Sequence, residues 1–433
     1  MTDEQYPVTG PRWARNFFPI WLGQAFSMLG SGLVQFALVW YLTDKTGSTA
    51  ILATATLVAI LPQAFLSPFA GALVDRWNRR WVQIISDAIT AFAILVLAAL
   101  FLTNHIQTWH IFVIMFIRSL GGAFQFPAMQ ASTSLMVPQK HLSRLAGANQ
   151  ALQGLLTIAA PPLGALLMAL IPIQSILSID VITAILAITP LFFVFVPQPE
   201  LTGGNVPVTP RVVLKDVAAG LRYVFNWRGM LVIILMATAI NFLYNPAFTF
   251  LPLLVTRHFN GGAAQLGWLE SAYGIGVVAG GLLLGAWGGF RRKIVTSLVG
   301  LISSAVGILL IGLASPSGYS LALTGMLVLG LTNPLINGPI FALLQTKVEP
   351  QMQGRVFTTV MSLAIIASPL SLAIAAPVAE WLGLQSWYII GGIVTFALTT
   401  IAFFNRDVMS IDDQQPGGIL QLAAEVAVPA ASD

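Results

Sequence analysis

The stretch GALVDRWNRRWVQIISD, residues 71–87, holds Asp75, Arg76, Arg79, Arg80 and Asp87, five charges in a chain of 433 residues of which only 8% are charged. Apolar runs lie on both sides of it, so the charges mark a short turn between two long hydrophobic segments. A soluble domain is about 25% charged and about 45–50% apolar. This chain is 57% apolar and lacks the charged surface that water-facing folds need. Its composition is that of an integral membrane protein. The absence of cysteine excludes disulfides, thiolate metal sites and a cysteine nucleophile.

A helix crossing about 30 Å of hydrocarbon needs roughly 20 mostly apolar residues. Twelve runs qualify, at about 17–41, 49–74, 81–103, 109–135, 145–171, 174–196, 229–255, 266–288, 294–314, 319–345, 356–381 and 385–404. The charge distribution supports this map, because cytoplasmic loops carry an excess of Lys and Arg. With the N-terminus inside, seventeen of the twenty Lys and Arg residues fall on the cytoplasmic side, Lys45 and Arg257 fall outside, and Arg118 alone lies within a span. A missing or misplaced span would scramble that alternation. Both termini are therefore expected in the cytoplasm. The segment before the first run is polar and mixed in charge, and the run is as long as a span, so a retained arm is expected rather than a cleaved signal.

The spans fall into two sets of six. Residues 197–228 separate them, opening with Pro/Gly linker chemistry and continuing as a short amphipathic helix with Leu214, Val217, Leu221 and Val224 on one side. The expected organisation is an arm at 1–16, six-helix halves at 17–196 and 229–404, that linker, and a polar tail at 405–433 that reads as disordered. Internal similarity supports the division. VPQKHLSR at 137–144 corresponds to VEPQMQGR at 348–355, Pro127 corresponds to Pro339, and WNRRWV recurs as FRRKIV. Parallel six-span repeats of this kind build one known class of secondary transporter.

The opening stretch resembles the signature loop of the major facilitator superfamily, G-x-L-x-D-R-x-x-R-R, with Gly71, Leu73, Asp75, Arg76, Arg79 and Arg80 in place and Asn78 where members often have Gly. The resemblance implies a latch in which the acid caps a helix of the other half and pairs with the arginines, holding the cytoplasmic gate closed. A bare positive-inside loop would need the arginines but not Asp75. Asp87 lies about two turns into the next span and is grouped with the latch. RSLGG at 118–122 is similar to the fourth-span motif R-x-x-Q-G, whose arginine is associated with proton transfer, with Gly121 replacing Gln. IAAPPLGALL is a partial match to G-P-x-x-G-G, a motif associated with antiporters, and makes Pro161 and Gly164 hinge candidates. The resemblance covers nearly all of residues 15–405. GQAFSMLGSGLVQFALVWYLTDKTGS, NPAFTFLPLLV and GRVF look like the branch that holds macrolide-efflux proteins and the enterobactin exporter, among drug:proton antiporters.

A buried Arg at mid-depth costs about 2.5–3.5 kcal/mol on insertion scales, so Arg118 is expected to face the bundle interior with a partner. Of the intramembrane acids, Glu270 and then Asp180 lie nearest the outer surface and are the expected proton carriers, while Glu380 ends its span. Substrate contacts are expected near mid-membrane where the halves meet. Gln24, Ser27, Met28, Ser31 and Gln35 form one stripe on the first span, with Asn241, Tyr244 and Asn245 on the seventh and Asn333, Asn337 and Gln345 on the tenth. A neutral, amide-rich lining beside Phe and Met suits an amphipathic solute better than a sugar or phosphate.

The expected function is proton-coupled export of drug-like molecules. The expected partners are such a solute, protons and the lipid bilayer, with no nucleic acid, cofactor or metal, and the chain is expected to act as a monomer. Export of an endogenous metabolite such as a siderophore, or lipid flipping, is the alternative. A non-transporting scaffold would have little use for Arg118 or Glu270. An enzyme is least favoured, because His105, His110, His141 and His258 read as loop residues with no metal spacing.

Overall fold

The computed structural model describes residues 13–74, 77–197, 227–348 and 367–413. Backbone groups in hydrocarbon must find their partners within the segment, which makes long apolar runs helical. The first six helices are α1 (Trp13–Thr46), α2 (Thr49–Val74), α3 (Arg79–Leu102), α4 (Thr108–Met136), α5 (Gln139–Leu170) and α6 (Ile173–Phe193). The rest are α7 (Arg228–Thr249), α8 (Leu251–Arg257), α9 (Ala263–Trp287), α10 (Lys293–Leu313), α11 (Tyr319–Lys347), α12 (Ala367–Leu382), α13 (Leu384–Phe404) and α14 (Arg406–Met409). Among the described residues, ten helices are long and apolar enough to cross a membrane, and Thr49–Gln63 and Ala367–Leu382 are shorter apolar helical stretches. The linker helix expected near 214–224 lies outside the described residues, as do Asp75 and Arg76.

The chain forms two compact units, residues 1–208 with 255–271, and 209–254 with 272–433. In the first, α1 packs on α5 and α6, α2 on α4, and α3 on α4 and α6. Phe17, Ile20, Ile84, Met136 and Leu191 form a buried cluster there. Asn78 supplies the N-cap of α3, its side chain accepting from the backbone N–H of Arg80 at 3.1 Å and of Trp81 at 3.3 Å. A glycine at that position could not make these bonds. In the second unit α10 packs on α11 and α13, and α7 on α13, around Trp227, Met230, Ile234, Leu298 and Leu344.

Three expectations change in detail. The run at 229–255 is interrupted at Phe250: its N–H still makes the helical bond to the Pro246 carbonyl at 2.8 Å, but Pro252 has no N–H with which to continue the ladder to Phe248. Residues 405–413 are ordered rather than a polar tail. Asn405 caps α14, and Val408 and Ile411 are fully buried in the second unit's core, while Asp412 accepts from the Ile294 N–H at 3.2 Å. Two apolar residues in a polar stretch are enough to anchor it. His110 and His141 fall in the first turns of α4 and α5 rather than in loops, and His110 Nδ1 accepts from the Gln107 N–H at 3.0 Å.

Without a hydrophobic force between helices in lipid, close approach depends on small residues. In the second unit a Cβ on Gly330 would lie 2.0 Å from the Tyr273 carbonyl oxygen, and one on Gly280 would lie 2.0 Å from that of Leu331, so α9 and α11 touch backbone to backbone. Gly285, two turns along α9 from Gly276, has nothing within 4 Å of the corresponding position. Gly330→Val is expected to lower stability by about 1–3 kcal/mol or more. Gly285→Ala is expected to leave it unchanged or slightly raised. Thermal unfolding in detergent, followed by size-exclusion chromatography, checks the pair; equal melting points would show that the contact is not tight.

Candidate functional site

Helix α1 carries the polar stripe, and the first unit closes around it in two layers. In one layer Gln24 Nε2 donates to Asp87 Oδ2 at 3.0 Å, and Gln125 Nε2 donates to Gln24 Oε1 at 2.6 Å, joining α3, α1 and α4. In the other, Arg118 Nη1 donates to Asp180 Oδ2 at 3.0 Å, Arg118 Nη2 to the Ser31 carbonyl at 3.1 Å, and Ser31 Oγ to Asp180 Oδ1 at 3.2 Å. That layer joins α4, α6 and α1. Gln24 and Ser31 are seven residues apart on α1, as Arg118 and Gln125 are on antiparallel α4, so the layers sit roughly 10 Å apart.

The side chains of Arg118 and Asp180 are 13% and 5% exposed, which makes this a buried ion pair. Taking both charges out of water is tolerable only with good geometry and further hydrogen bonds. Ser31 supplies those bonds to both members. Gly30 makes room for them, since a Cβ there would lie 2.3 Å from Thr183 Oγ1 and 3.0 Å from Asp180 Oδ1. Asp87 is half-buried, and its hydrogen bond is to Gln24. The two layers thus hold two carboxyl groups, Asp87 and Asp180, and one cation, Arg118. That composition suits a site whose charge changes by one proton.

The loop residues are anchored in the same unit. Arg79 Nη1 donates to the Ala131 carbonyl at 2.8 Å and Arg80 Nη2 to the Phe192 carbonyl at 2.7 Å, tying the start of α3 to the ends of α4 and α6. Gly71 lies in the last turn of α2. Near Pro161 and Gly164, α5 is held tightly. A Cβ on Gly164 would lie 2.9 Å from the Phe36 ring, and one on Gly32 would lie 3.0 Å from the Ala160 Cβ. The N-terminal part of α9 joins this contact, with Gly267 against the Pro161 carbonyl and Ala165, and Ser271 Oγ donating to the Ile158 carbonyl at 3.1 Å. Glu270, next to Ser271, is half-buried, and among the described residues its carboxyl group carries no hydrogen bond or ion pair.

The proposed substrate contacts divide by what they already bond. Gln24, Ser31 and Tyr244 spend polar groups inside their own unit, Tyr244 Oη lying 3.1 Å from Ser304 Oγ. Asn241 and Asn337 are exposed, and their Nδ2 atoms back-bond to the Ala237 and Asn333 carbonyls at 2.9 and 3.1 Å. Gln35 is exposed, and Ser27, Asn245 and Asn333 are half-buried. Gln125, Gly30 and Thr183 were not singled out from the sequence. Gln125 was legible as the residue two turns from Arg118 on the same face; Gly30 and Thr183 gain meaning only once α6 is placed on α1.

Comparison with known proteins matches the chain to the family model for the Major Facilitator Superfamily over residues 20–362 and 244–418. Macrolide efflux protein A of Streptococcus pyogenes is 31% identical over 400 residues, which are 92% of this chain and 98% of that protein. The multidrug efflux pump Tap of Mycobacterium bovis is 27% identical over 387 residues, 86% of this chain and 89% of its own. Among solved structures, the nucleoside transporter NupG aligns over 92% of this chain and 99% of its own with a TM-score of 0.63 at 13% identity. A POT family transporter in complex with a thioalcohol-conjugated peptide aligns over 96% and 97% with a TM-score of 0.68 at 10% identity. These structures share the fold.

Arg118→Met is expected to destabilise the protein by about 3–5 kcal/mol, because it strands a buried carboxylate. Arg118→Met combined with Asp180→Asn is expected to recover most of that loss. Melting temperatures in detergent decide it: a double variant as unstable as the sum of the two single variants would mean that the residues do not act as a pair.

Proposed function

The chain belongs to the major facilitator superfamily, and we propose that it is a proton-coupled antiporter that exports amphipathic, macrolide-like compounds across the bacterial cell membrane by alternating access. The observation that carries the coupling is the set of two carboxyl groups and one cation, Asp87, Asp180 and Arg118, held on helices long enough to span a membrane. Ionisable groups at such depth are costly and are retained where charge moves. With Arg118 balancing one negative charge, the set has one carboxyl group over, so Asp180 and Asp87 together can hold one proton beside Arg118. Glu270, bearing no polar partner among the described residues, is the second carrier. A transmembrane voltage supplies about 2.3 kcal/mol per charge per 100 mV, enough to drive export against a gradient.

The remaining roles follow the same reading. Gly71, Asp75, Arg76, Arg79 and Arg80 form the gate latch, with Asp87 linking it to the proton-carrying set. Pro161 and Gly164 form the hinge. Ser27, Gln35, Asn241, Asn245, Asn333 and Asn337 offer polar groups to the solute, while Gln24, Ser31 and Tyr244 shape the site through their internal bonds. The stretches Thr49–Gln63 and Ala367–Leu382 belong to the two spans that complete a set of twelve, with both termini cytoplasmic and the protein acting as a monomer.

Accumulation of a labelled macrolide and a fluorescent cationic dye in efflux-deficient bacteria tests this. Expression of the chain is expected to lower accumulation several-fold. A protonophore, Asp180→Asn or Glu270→Gln should abolish the effect while membrane levels stay unchanged. Efflux that persists with the protonophore would refute proton coupling. Unchanged accumulation, with the protein present in the membrane, would refute drug export.

A further inference from the structure

Between α3 and α4 lies a groove of about 530 Å³ that the transport chemistry does not use. One wall is Trp77, just before the N-cap of α3, with Trp81, Ile85 and Ile89 spaced four residues apart along α3, and Gly121 and Phe124 of α4 contribute to the other. These four residues are 50–52% exposed, so they belong to the outside of the unit rather than to its core. The exposed apolar face continues up α3 through Phe92. On a helix long enough to span a membrane, such a face is turned to hydrocarbon. Gly121 lets α4 approach α3 beneath the groove, since a Cβ there would lie 2.5 Å from Thr90 Oγ1.

The end of the groove beside the charged loop is built differently. Trp77 stacks on Phe124 with ring centroids 6.1 Å apart and an interplanar angle of 18°, bridging the two walls. Trp81 meets the Phe192 ring edge-on at 6.3 Å, and the carbonyl of that same Phe192 accepts from Arg80. Phe192 therefore holds a guanidinium beside a tryptophan of the groove wall. A guanidinium has five N–H donors; in Arg80 the Phe192 carbonyl takes one from Nη2 and the Nε donor is buried, so the outward donors are on the Nη atoms. Trp is enriched at membrane–water interfaces, and a cation beside it complements an anionic headgroup.

We propose that the groove seats one acyl chain of an anionic membrane phospholipid, with Arg80 meeting its phosphate. From Trp81 to Ile89 the groove runs roughly 12 Å along the helix, comparable with one leaflet's share of a hydrocarbon core about 30 Å thick. A chain lying beside a helix fills a channel of this direction and apolar lining. A polyoxygenated solute fits less well, because among the lining residues other than the two tryptophans only Asn78 and Ser86 offer polar side-chain groups, and each hydroxyl buried without a partner costs about 1–3 kcal/mol. The site is separate from the proton-carrying set and does not depend on what the protein exports.

Native mass spectrometry of the purified full chain titrated with phosphatidylglycerol tests the proposal. Wild type is expected to retain one tight phosphatidylglycerol in preference to phosphatidylcholine. Ile85→Trp and Ile89→Trp, each filling the groove from an exposed position, are expected to weaken that binding at least tenfold. Arg80→Gln should remove the preference for the anionic lipid. Leu282→Trp, at an exposed apolar position of α9 outside the groove, should change nothing. Equal phosphatidylglycerol binding by wild type and both groove-filling variants would overturn the proposal. So would displacement of the bound lipid by a macrolide that the same variants prevent, since the groove would then be a substrate seat.

Discussion

The rest of the first unit is arranged around one ion pair that has no water to dissolve in. Arg118 and Asp180 each need the other, and the residues around them are those that let them meet. Ser31 bonds both, and Gly30 removes the side chain that would push α6 away from α1. A buried pair is weak evidence for stability, because matching apolar residues often do as well. Asp87 adds a carboxyl group through Gln24, two helical turns away, so the unit carries an acid for which the set holds no second cation. Charge balance inside hydrocarbon then becomes something that a proton or a solute can alter.

Helix contacts in both units rest on a different constraint. Lipid tails are as apolar as leucine, so packing comes from shape. Gly276, Gly280 and Gly330 bring α9 against α11 in the second unit, and Gly164, Gly32 and Gly267 bring α5 against α1 and the start of α9 in the first. The latter contact surrounds Pro161 and Pro162, where the helix lacks two backbone donors. A weakened ladder gripped by small residues on both sides can bend without losing packing, which is what a hinge needs.

Much of this was legible in the sequence because membranes simplify the rules. Apolar runs and the placement of Lys and Arg outlined the spans, and Arg118 declared itself as the one basic residue inside them. That it needed a partner was also legible; that the partner is Asp180 was not. The two are 62 residues apart, and only the packing of α4 and α6 on α1 brings them together. Asp87 was grouped by proximity in sequence with the arginines of its loop, whereas its hydrogen bond goes to Gln24 on another helix. The break at Phe250 follows from Pro252, whose effect on a hydrophobic run is hidden when only apolar content is counted. Residues 405–413 show the same limit from the other side, since polar composition concealed the two apolar anchors Val408 and Ile411.

The most direct measurement is of protons released when solute binds. The purified protein in lightly buffered detergent solution, with a pH indicator, is mixed with a macrolide at saturating concentration. Release of about one proton per protein from wild type, lost in Asp87→Asn combined with Asp180→Asn, is the result expected if solute and proton exchange at the carboxyl groups balanced by Arg118. Saturable macrolide binding with no proton released, or release unchanged in the double variant, would contradict it.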